Sequence, residues 1–113
     1  MSIDPKIQTL LEGLSRSTSR QKLTWNKTDD PDAFEALVGG YRFRLKRGLD
    51  ENRDPYFDLL IGDAGERIFD TAMIDTGEEF EVATDLYFAA RRQVLGLDYV
   101  LDAMLANIEA IGA

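Results

Sequence analysis

The chain has 113 residues and a formal net charge of -8, and it contains no cysteine and no histidine. Thiolate nucleophiles, histidine acid–base catalysis and the usual zinc sites are therefore excluded. The acidic balance disfavours contact with nucleic acid or an anionic membrane, and no apolar run is long enough to cross a bilayer. With 44% hydrophobic and 30% charged residues, residues 1–113 are predicted to form a single α+β domain in the cytoplasm, without a cofactor.

The first predicted element is an N-terminal helix that begins at Asp4-Pro5, because Asp can cap a helix and Pro suits its first position. Its apolar residues recur at helical spacing and are Ile3, Ile7, Leu10 and Leu14. The Ser- and Thr-rich run from Ser15 to Ser19 predicts that the helix frays at its end. Leu23 and Trp25 then alternate with polar residues, which predicts a first strand with the single tryptophan in the core.

The most informative stretch is Phe34 to Leu45, two apolar-alternating runs joined by Gly39-Gly40. A two-residue glycine loop is a strong signal for a β-hairpin and fixes the register of its strands. Three pairs are expected to lie opposite each other: Val38 with Tyr41, Ala36 with Phe43, and Phe34 with Leu45. These six side chains share one side of the sheet, and we expect the helices to pack on that side.

The other side of the hairpin carries positive charge at alternate positions, Arg42, Arg44 and Lys46. The register pairs Arg44 with Glu35, an ion pair worth about 0.2–1 kcal/mol if it is exposed. This concentrated positive charge on an acidic chain is a candidate docking site for phosphate, nucleic acid or an acidic partner protein. The alternative interpretation is an ordinary solvated strand face, on which Lys and Arg also protect a sheet edge from aggregation.

Two further strands complete the predicted sheet, one from Tyr56 to Ile61 and one from Glu66 to Ile74. The loop from Arg47 to Pro55 is rich in carboxylates. Its spacing does not match the EF-hand pattern, so a solvated acidic loop is predicted there and not a cation site. Because every connection is short, we expect the five strands to pair in sequence order as an antiparallel meander.

The C-terminal third of the chain is predicted to be helical. Thr76 and Glu79 match a capping box, so the helix could begin there or as late as Thr84, and from Ala83 apolar and small residues recur every three or four positions. This apolar seam consists of Ala83, Tyr87, Ala90, Val94, Leu97, Leu101, Met104, Ile108 and Ile111. Gly96 could end one helix and Asp98 could cap the next, so either one long kinked helix or two consecutive helices would pack on one sheet face.

A helix of this length, about 40 Å at 1.5 Å per residue, exceeds what one small sheet easily covers. Part of the seam is therefore predicted to lie either in the core or at an interface between chains, including a homodimer through the C-terminal helix. The candidate partner-binding residues are Arg42, Arg44, Lys46, Leu97, Leu101, Met104 and Ile108. No catalytic, cofactor-binding or metal-ligating residue is predicted.

The leading functional hypothesis is a small acidic, non-enzymatic protein-binding module of the inhibitor, immunity or anti-defence type. An acidic surface can block a basic nucleic-acid-binding cleft through electrostatic complementarity. A further hypothesis is a small ligand-binding or carboxylate-based enzyme domain, for which Asp58, Glu66 and Asp70 are candidates if two of them are buried together. Nucleic acid is disfavoured as a partner because Tyr41 and Phe43 point away from the basic residues and cannot stack bases beside them.

In size, acidity and mixture of helix and strand, the chain resembles the type III secretion chaperones. The resemblance is one of composition and involves no motif. It implies a dimeric chaperone as an alternative function. It also implies a helix within the strand order, whereas the sequence predicts no helix between Leu23 and Ile74.

Overall fold

The computed structural model describes residues 4–112, so the predicted helical position of Ile3 lies outside the described residues, as does the side chain of Asp98. Within this range the chain forms three helices and one five-stranded antiparallel sheet. In chain order the elements are α1 (Pro5–Ser19), β1 (Asn26–Lys27), β2 (Ala33–Val38), β3 (Tyr41–Leu49), β4 (Pro55–Asp63), β5 (Ile68–Ile74), α2 (Gly77–Leu95) and α3 (Leu97–Gly112). The predicted α+β class is confirmed, and the C-terminal part consists of two consecutive helices. None of these described helices is both long and apolar enough for a membrane span.

The strands pair in sequence order, so the predicted meander is confirmed. Gly39 and Gly40 form the turn between β2 and β3 with φ values of 57° and 83°, a left-handed geometry that glycine adopts without strain. The predicted register is confirmed in all three pairs, Phe34–Leu45, Ala36–Phe43 and Val38–Tyr41. We call the sheet side that carries these residues the closed face and the opposite side the open face.

The hydrophobic core lies between the closed face and α2. Tyr87 of α2 is central to it, with its ring centroid 5.2 Å from that of Phe34 and 5.4 Å from that of Phe57. α1 packs against α2 and buries Leu11 and Leu14. Because α2 contacts every strand of the sheet as well as α1, it joins the two layers of the fold.

The helices do not cover the whole closed face. Val38 and Tyr41 lie at the hairpin turn with 43% and 54% of their surface exposed. The Tyr41 ring packs edge-on with Phe69, at 6.3 Å between centroids, and not under a helix. The expectation that helices cover all six closed-face residues of the hairpin is therefore wrong for these two, because the hairpin extends beyond α2.

The segment predicted as the first strand is held by a side chain instead of a β-ladder. Gln93 of α2 accepts a hydrogen bond from the Trp25 backbone N–H at 3.0 Å and donates its Nε2 to the Leu23 carbonyl at 3.0 Å. Ladder pairing starts only at Asn26, so the predicted first strand exists but is displaced: β1 comprises two residues, and Leu23–Trp25 lies outside it. Trp25 is 3% exposed and belongs to the core, as predicted.

The end of α1 is ordered by the same tryptophan. The Thr18 hydroxyl donates to the Leu14 carbonyl at 2.7 Å and accepts from Trp25 Nε1 at 2.8 Å. Thr18 is itself buried, at 3% exposure. The prediction that the helix frays from Ser15 onward is therefore wrong, because a polar side chain in this run is part of the core.

The two capping predictions differ in outcome. Asp4 caps α1 as predicted, by accepting a hydrogen bond from the Lys6 backbone N–H at 2.8 Å. Thr76 precedes α2, but its side chain makes no capping hydrogen bond. Gly77 has a φ of 82°, outside the helical range, so the predicted capping box between Thr76 and Glu79 does not form.

The charged loop is shorter than predicted and spans residues 50–54, because β3 continues to Leu49 and β4 starts at Pro55. Asp50 closes this loop by accepting a hydrogen bond from the Asn52 backbone N–H at 2.8 Å. β5 starts two residues later than predicted, because the preceding loop is closed by hydrogen bonds of its own.

Candidate protein-binding surfaces

The C-terminal helix α3 is almost entirely exposed. Every residue from Tyr99 to Gly112 is exposed, and the main neighbour of α3 is α2, which precedes it in the chain. The exposed fraction is 53% for Met104 and 65% for Ile108. Large apolar side chains in a helix are normally turned toward a core, so α3 is an exception within this fold.

Gly96 separates α3 from α2. It has φ 61° and ψ 34°, the left-handed conformation that commonly ends a helix. Its N–H donates to the Gln93 carbonyl at 3.1 Å, and its own carbonyl accepts from the Val100 N–H at 3.2 Å. The junction is thus hydrogen-bonded on both sides. The seam predicted from Ala83 to Ile111 is divided here, with its buried part on α2 and an exposed part on α3.

The apolar residues of α3 form one continuous surface. Leu97, Leu101, Met104 and Ile108, the predicted partner-binding residues, recur every three or four positions and share one side of the helix. Val100, Leu105 and Ile111 widen this side, and we call all seven residues the apolar stripe. Val100 and Leu105 are absent from the predicted seam, although they follow Leu97 and Leu101 by three and four residues and so have the helical spacing.

The second candidate surface lies on the open face of the sheet. Arg42, Arg44 and Lys46, which we call the basic row, follow each other at alternate positions of β3, on the side opposite the core. Across the strands, Leu37 and Gly62 lie beside Arg42, Glu35 and Leu60 beside Arg44, and Asp58 beside Lys46. The two arginines are half-buried among these neighbours, whereas the lysine is exposed.

Two cations of the basic row have an acidic partner in the same chain. Arg44 Nη2 lies 3.4 Å from Glu35 Oε2, which confirms the predicted pair, and Lys46 Nζ lies 2.8 Å from Asp30 Oδ2. The hydrogen bond from Lys46 lowers the pKa of the Asp30 carboxyl, and the same hydrogen bond raises the pKa of Lys46. Both ion pairs are partly exposed to solvent and contribute little to folding.

Arg42 differs from its two neighbours, because it has no ion pair within the described residues. The Nε atoms of Arg42 and Arg44 are also shielded from water without a hydrogen-bond acceptor in that part of the chain. An unpaired buried donor costs about 1–3 kcal/mol.

The open face also has apolar parts. Leu37 and Met73 are 56% and 58% exposed, and Leu60 and Tyr56 are half-buried. A shallow depression of about 330 Å³ is lined by Arg44, Lys46, Asp58, Leu59, Leu60 and Thr71. Arg, Met and Tyr are residue types that protein interfaces favour. Tyr56, Leu60 and Met73 are not predictable from the sequence as part of one surface, because their common position depends on the register of β3 to β5.

The apolar stripe and the basic row lie on different elements, α3 and β3, and the fold does not bring them together within one chain. Among residues 4–112, no group of three acidic side chains is placed to hold a metal ion. The first surface is apolar with acidic neighbours, and the second is basic with apolar neighbours.

No protein-family model, curated protein or solved structure matches this chain significantly. Residues 26–74 contain no helix, so the strand order differs from the one that the resemblance to type III secretion chaperones implies. The two surfaces are therefore the features of this chain that bear on its function.

Proposed function

We propose that this chain is a non-enzymatic protein-binding module whose apolar stripe docks on a partner protein. The observation that carries this proposal is the exposure of the stripe on an otherwise well-packed fold, since contiguous exposed apolar surface usually marks an interaction site. The lack of histidine and cysteine supports a non-enzymatic role. An inhibitor, immunity protein or anti-defence factor in the cytoplasm is the class that fits this size and acidity.

The size of the stripe indicates how strong such docking is. Six residues of the stripe are exposed, namely Val100, Leu101, Met104, Leu105, Ile108 and Ile111. Their exposed fractions add up to about three fully exposed side chains. Burying one such side chain contributes about 1.5–3 kcal/mol, so covering the stripe contributes roughly 5–9 kcal/mol. Association costs about 4–15 kcal/mol in lost freedom of motion. The stripe alone is therefore marginal, and a stable complex needs a second contact.

The charges beside the stripe limit the kind of partner. Asp102 and Glu109 lie seven residues apart on the same side of α3, and the helix contains no Lys or Arg. A complementary surface would place basic side chains next to an apolar groove. A basic nucleic-acid-binding cleft meets that requirement, which is why an inhibitor of such a protein is the form of the proposal that we favour.

The test is affinity capture from the native host at low and moderate salt, with the wild-type chain, Ile108→Asp and Leu49→Asp as baits. Leu49 is 55% exposed at the end of β3, outside the stripe, and so serves as a matched apolar-to-acidic control. We expect the wild type and Leu49→Asp to retain the same partner and Ile108→Asp to lose it. The proposal would be contradicted if the wild type captured no protein, or if all three baits captured the same protein.

A further inference from the structure

The apolar stripe and the open face are both uncovered, and their chemistry is complementary. We propose that α3 of one copy packs along the open face of a second copy, and that the reciprocal contact closes a two-fold homodimer. This inference goes beyond the proposed function, because it uses the same helix for self-association, and a second copy would compete with another partner protein for the stripe.

Charge complementarity favours the open face as the surface that meets α3. The helix carries Asp102 and Glu109 beside its apolar stripe, whereas β3 carries the three cations of the basic row beside exposed Leu37. Arg42 has no ion pair among the described residues. A carboxylate of α3 from the second copy would supply one, while the apolar stripe covers the Leu and Met side chains nearby.

The spacing of the charges agrees with this arrangement. Asp102 and Glu109 are separated by seven helical residues, or about 10.5 Å along the axis of α3. Arg42 and Lys46 are separated by four strand residues, or about 13 Å along β3. The difference of a few ångströms is within the reach of Arg and Lys side chains, so a helix lying along β3 can place both carboxylates near cations.

A second α3 is a poorer occupant of the stripe. Two α3 helices side by side would bring their acidic residues to one interface, and neither helix has a Lys or Arg to place against them. Like charges at an interface act against association. The open face of a second copy supplies what another α3 lacks.

The open face of the same chain is also a poorer occupant. The end of α2 lies on the closed-face side of the sheet, where Val94 and Leu95 adjoin Ala33 and Phe34. To reach its own open face, α3 would have to reverse direction around the edge of the sheet through Gly96 alone. That reversal would break the hydrogen bonds that Gly96 makes on both sides of the junction.

The area of contact explains why the interaction would be reciprocal. A helix of 16 residues is about 24 Å long, and with a width of about 10 Å it buries roughly 500 Å² over the two contacting surfaces. One such contact is below the roughly 1,000 Å² that a specific interface needs, whereas two reciprocal contacts reach it. A closed two-fold dimer is therefore the smallest assembly that is large enough.

Cross-linking tests the arrangement directly, because the chain has no cysteine of its own. Ile108→Cys places a thiol on the stripe, and Leu60→Cys places one on the open face, with Met73→Cys as a replacement if Leu60→Cys does not fold. The proteins are mixed, allowed to exchange subunits, and treated with a short bismaleimide. We expect cross-linked dimers mainly from the mixture. Equal cross-linking of Ile108→Cys alone would indicate pairing between two α3 helices and overturn the proposal.

Charge reversal supplies the second readout, with dimer dissociation measured by analytical ultracentrifugation. Arg42→Glu and Glu109→Arg are each expected to weaken the dimer by about tenfold or more, since like charges then face each other, and the double variant is expected to recover most of the loss. Lys22→Glu makes the same charge change at an exposed loop position and should have no such effect. Failure of the double variant to recover would refute the pairing of these two charges.

The same experiments separate this inference from the proposed function. A wild-type chain that stays monomeric up to millimolar concentration overturns the homodimer. If Ile108→Asp then also loses a captured host protein, the proposed function stands without the inference. If the monomeric chain captures nothing, both fail.

Discussion

The buried contact between Thr18 and Trp25 yields a prediction whose size follows from the structure. Thr18→Val keeps the shape of the side chain but removes the acceptor that lies 2.8 Å from Trp25 Nε1. The indole N–H would be left in a site where both residues are 3% exposed. A buried donor without a partner costs about 1–3 kcal/mol, and we expect the free energy of unfolding to fall by that amount.

Thr9 provides the matched control for this change. Its hydroxyl donates to the Pro5 carbonyl at 3.0 Å, the same four-residue contact within α1 that Thr18 makes, but it is exposed and has no indole partner. Thr9→Val is therefore expected to change stability by no more than about 0.5 kcal/mol, as exposed substitutions usually do. The difference between the two variants isolates the bond to Trp25.

Urea unfolding followed by far-ultraviolet circular dichroism measures both variants at one fixed protein concentration, since self-association would shift the apparent stability. In a Trp25→Phe background the donor is absent, so Thr18→Val should cost about 1 kcal/mol less than in the wild type. An equal cost for Thr18→Val and Thr9→Val, or an unchanged cost in the Trp25→Phe background, would refute the reasoning.

Two further predictions use the same urea assay. Gly62→Ala should lower the free energy of unfolding by about 2 kcal/mol or more, because the new Cβ would collide with the Arg67 carbonyl oxygen at the β4–β5 irregularity. Gly13→Ala should instead raise the free energy of unfolding by about 1 kcal/mol, because its Cβ would meet nothing within 4 Å in α1. A loss of stability at both sites would contradict this contrast. The hydrogen bond from Lys46 holds the pKa of the Asp30 carboxyl below its usual 3.8. The stability that this pair contributes is therefore fully present above pH 3.8. It is lost as the pH falls through the lowered pKa that Asp30 has in the folded state. The stability difference between the wild type and Lys46→Met should therefore shrink in acid, and a difference that stays constant down to pH 2 would show that this pair does not titrate as described.

The parts of the fold that the sequence predicts well are those set by short-range chemistry. The register of the central hairpin follows from Gly39-Gly40 and the alternation on either side of it, all within twelve residues. The open-face position of Arg42 and the ion pair of Arg44 with Glu35 follow from that register. Asp4-Pro5 likewise marks the start of α1 through contacts to its immediate neighbours.

The parts that the sequence predicts poorly depend on distant residues. Leu23–Trp25 has the alternation of a strand, but its backbone bonds to the Gln93 side chain, which is 68 residues beyond Trp25. A glutamine on a helix gives no local sign of this contact. Thr18 has the same limitation, because a threonine in a Ser-rich run looks solvated until the position of the tryptophan is known.

The apolar seam shows a deeper limit of periodicity. Ala83 and Tyr87 are as regularly spaced as Met104 and Ile108, yet the first pair is buried and the second is exposed. Spacing indicates which side of a helix is apolar, but it does not indicate what covers that side. In this fold α2 contacts all five strands and so occupies the closed face of the sheet. The sheet therefore does not cover α3, which follows Gly96.

Gly96 also separates the apolar residues of α2 that stabilise the fold from the apolar residues of α3 that are exposed. The apolar side of α2 is covered by the sheet, so truncations there remove core contacts and should lower the free energy of unfolding by about 2–5 kcal/mol for a residue such as Leu86, which is 0% exposed. The stripe of α3 has no such cover within the described chain, so a truncation at Ile108 removes little that holds one copy together. The six exposed residues of the stripe therefore contribute little to the stability of one copy, and we expect truncations among them to change the free energy of unfolding far less than a truncation at Leu86.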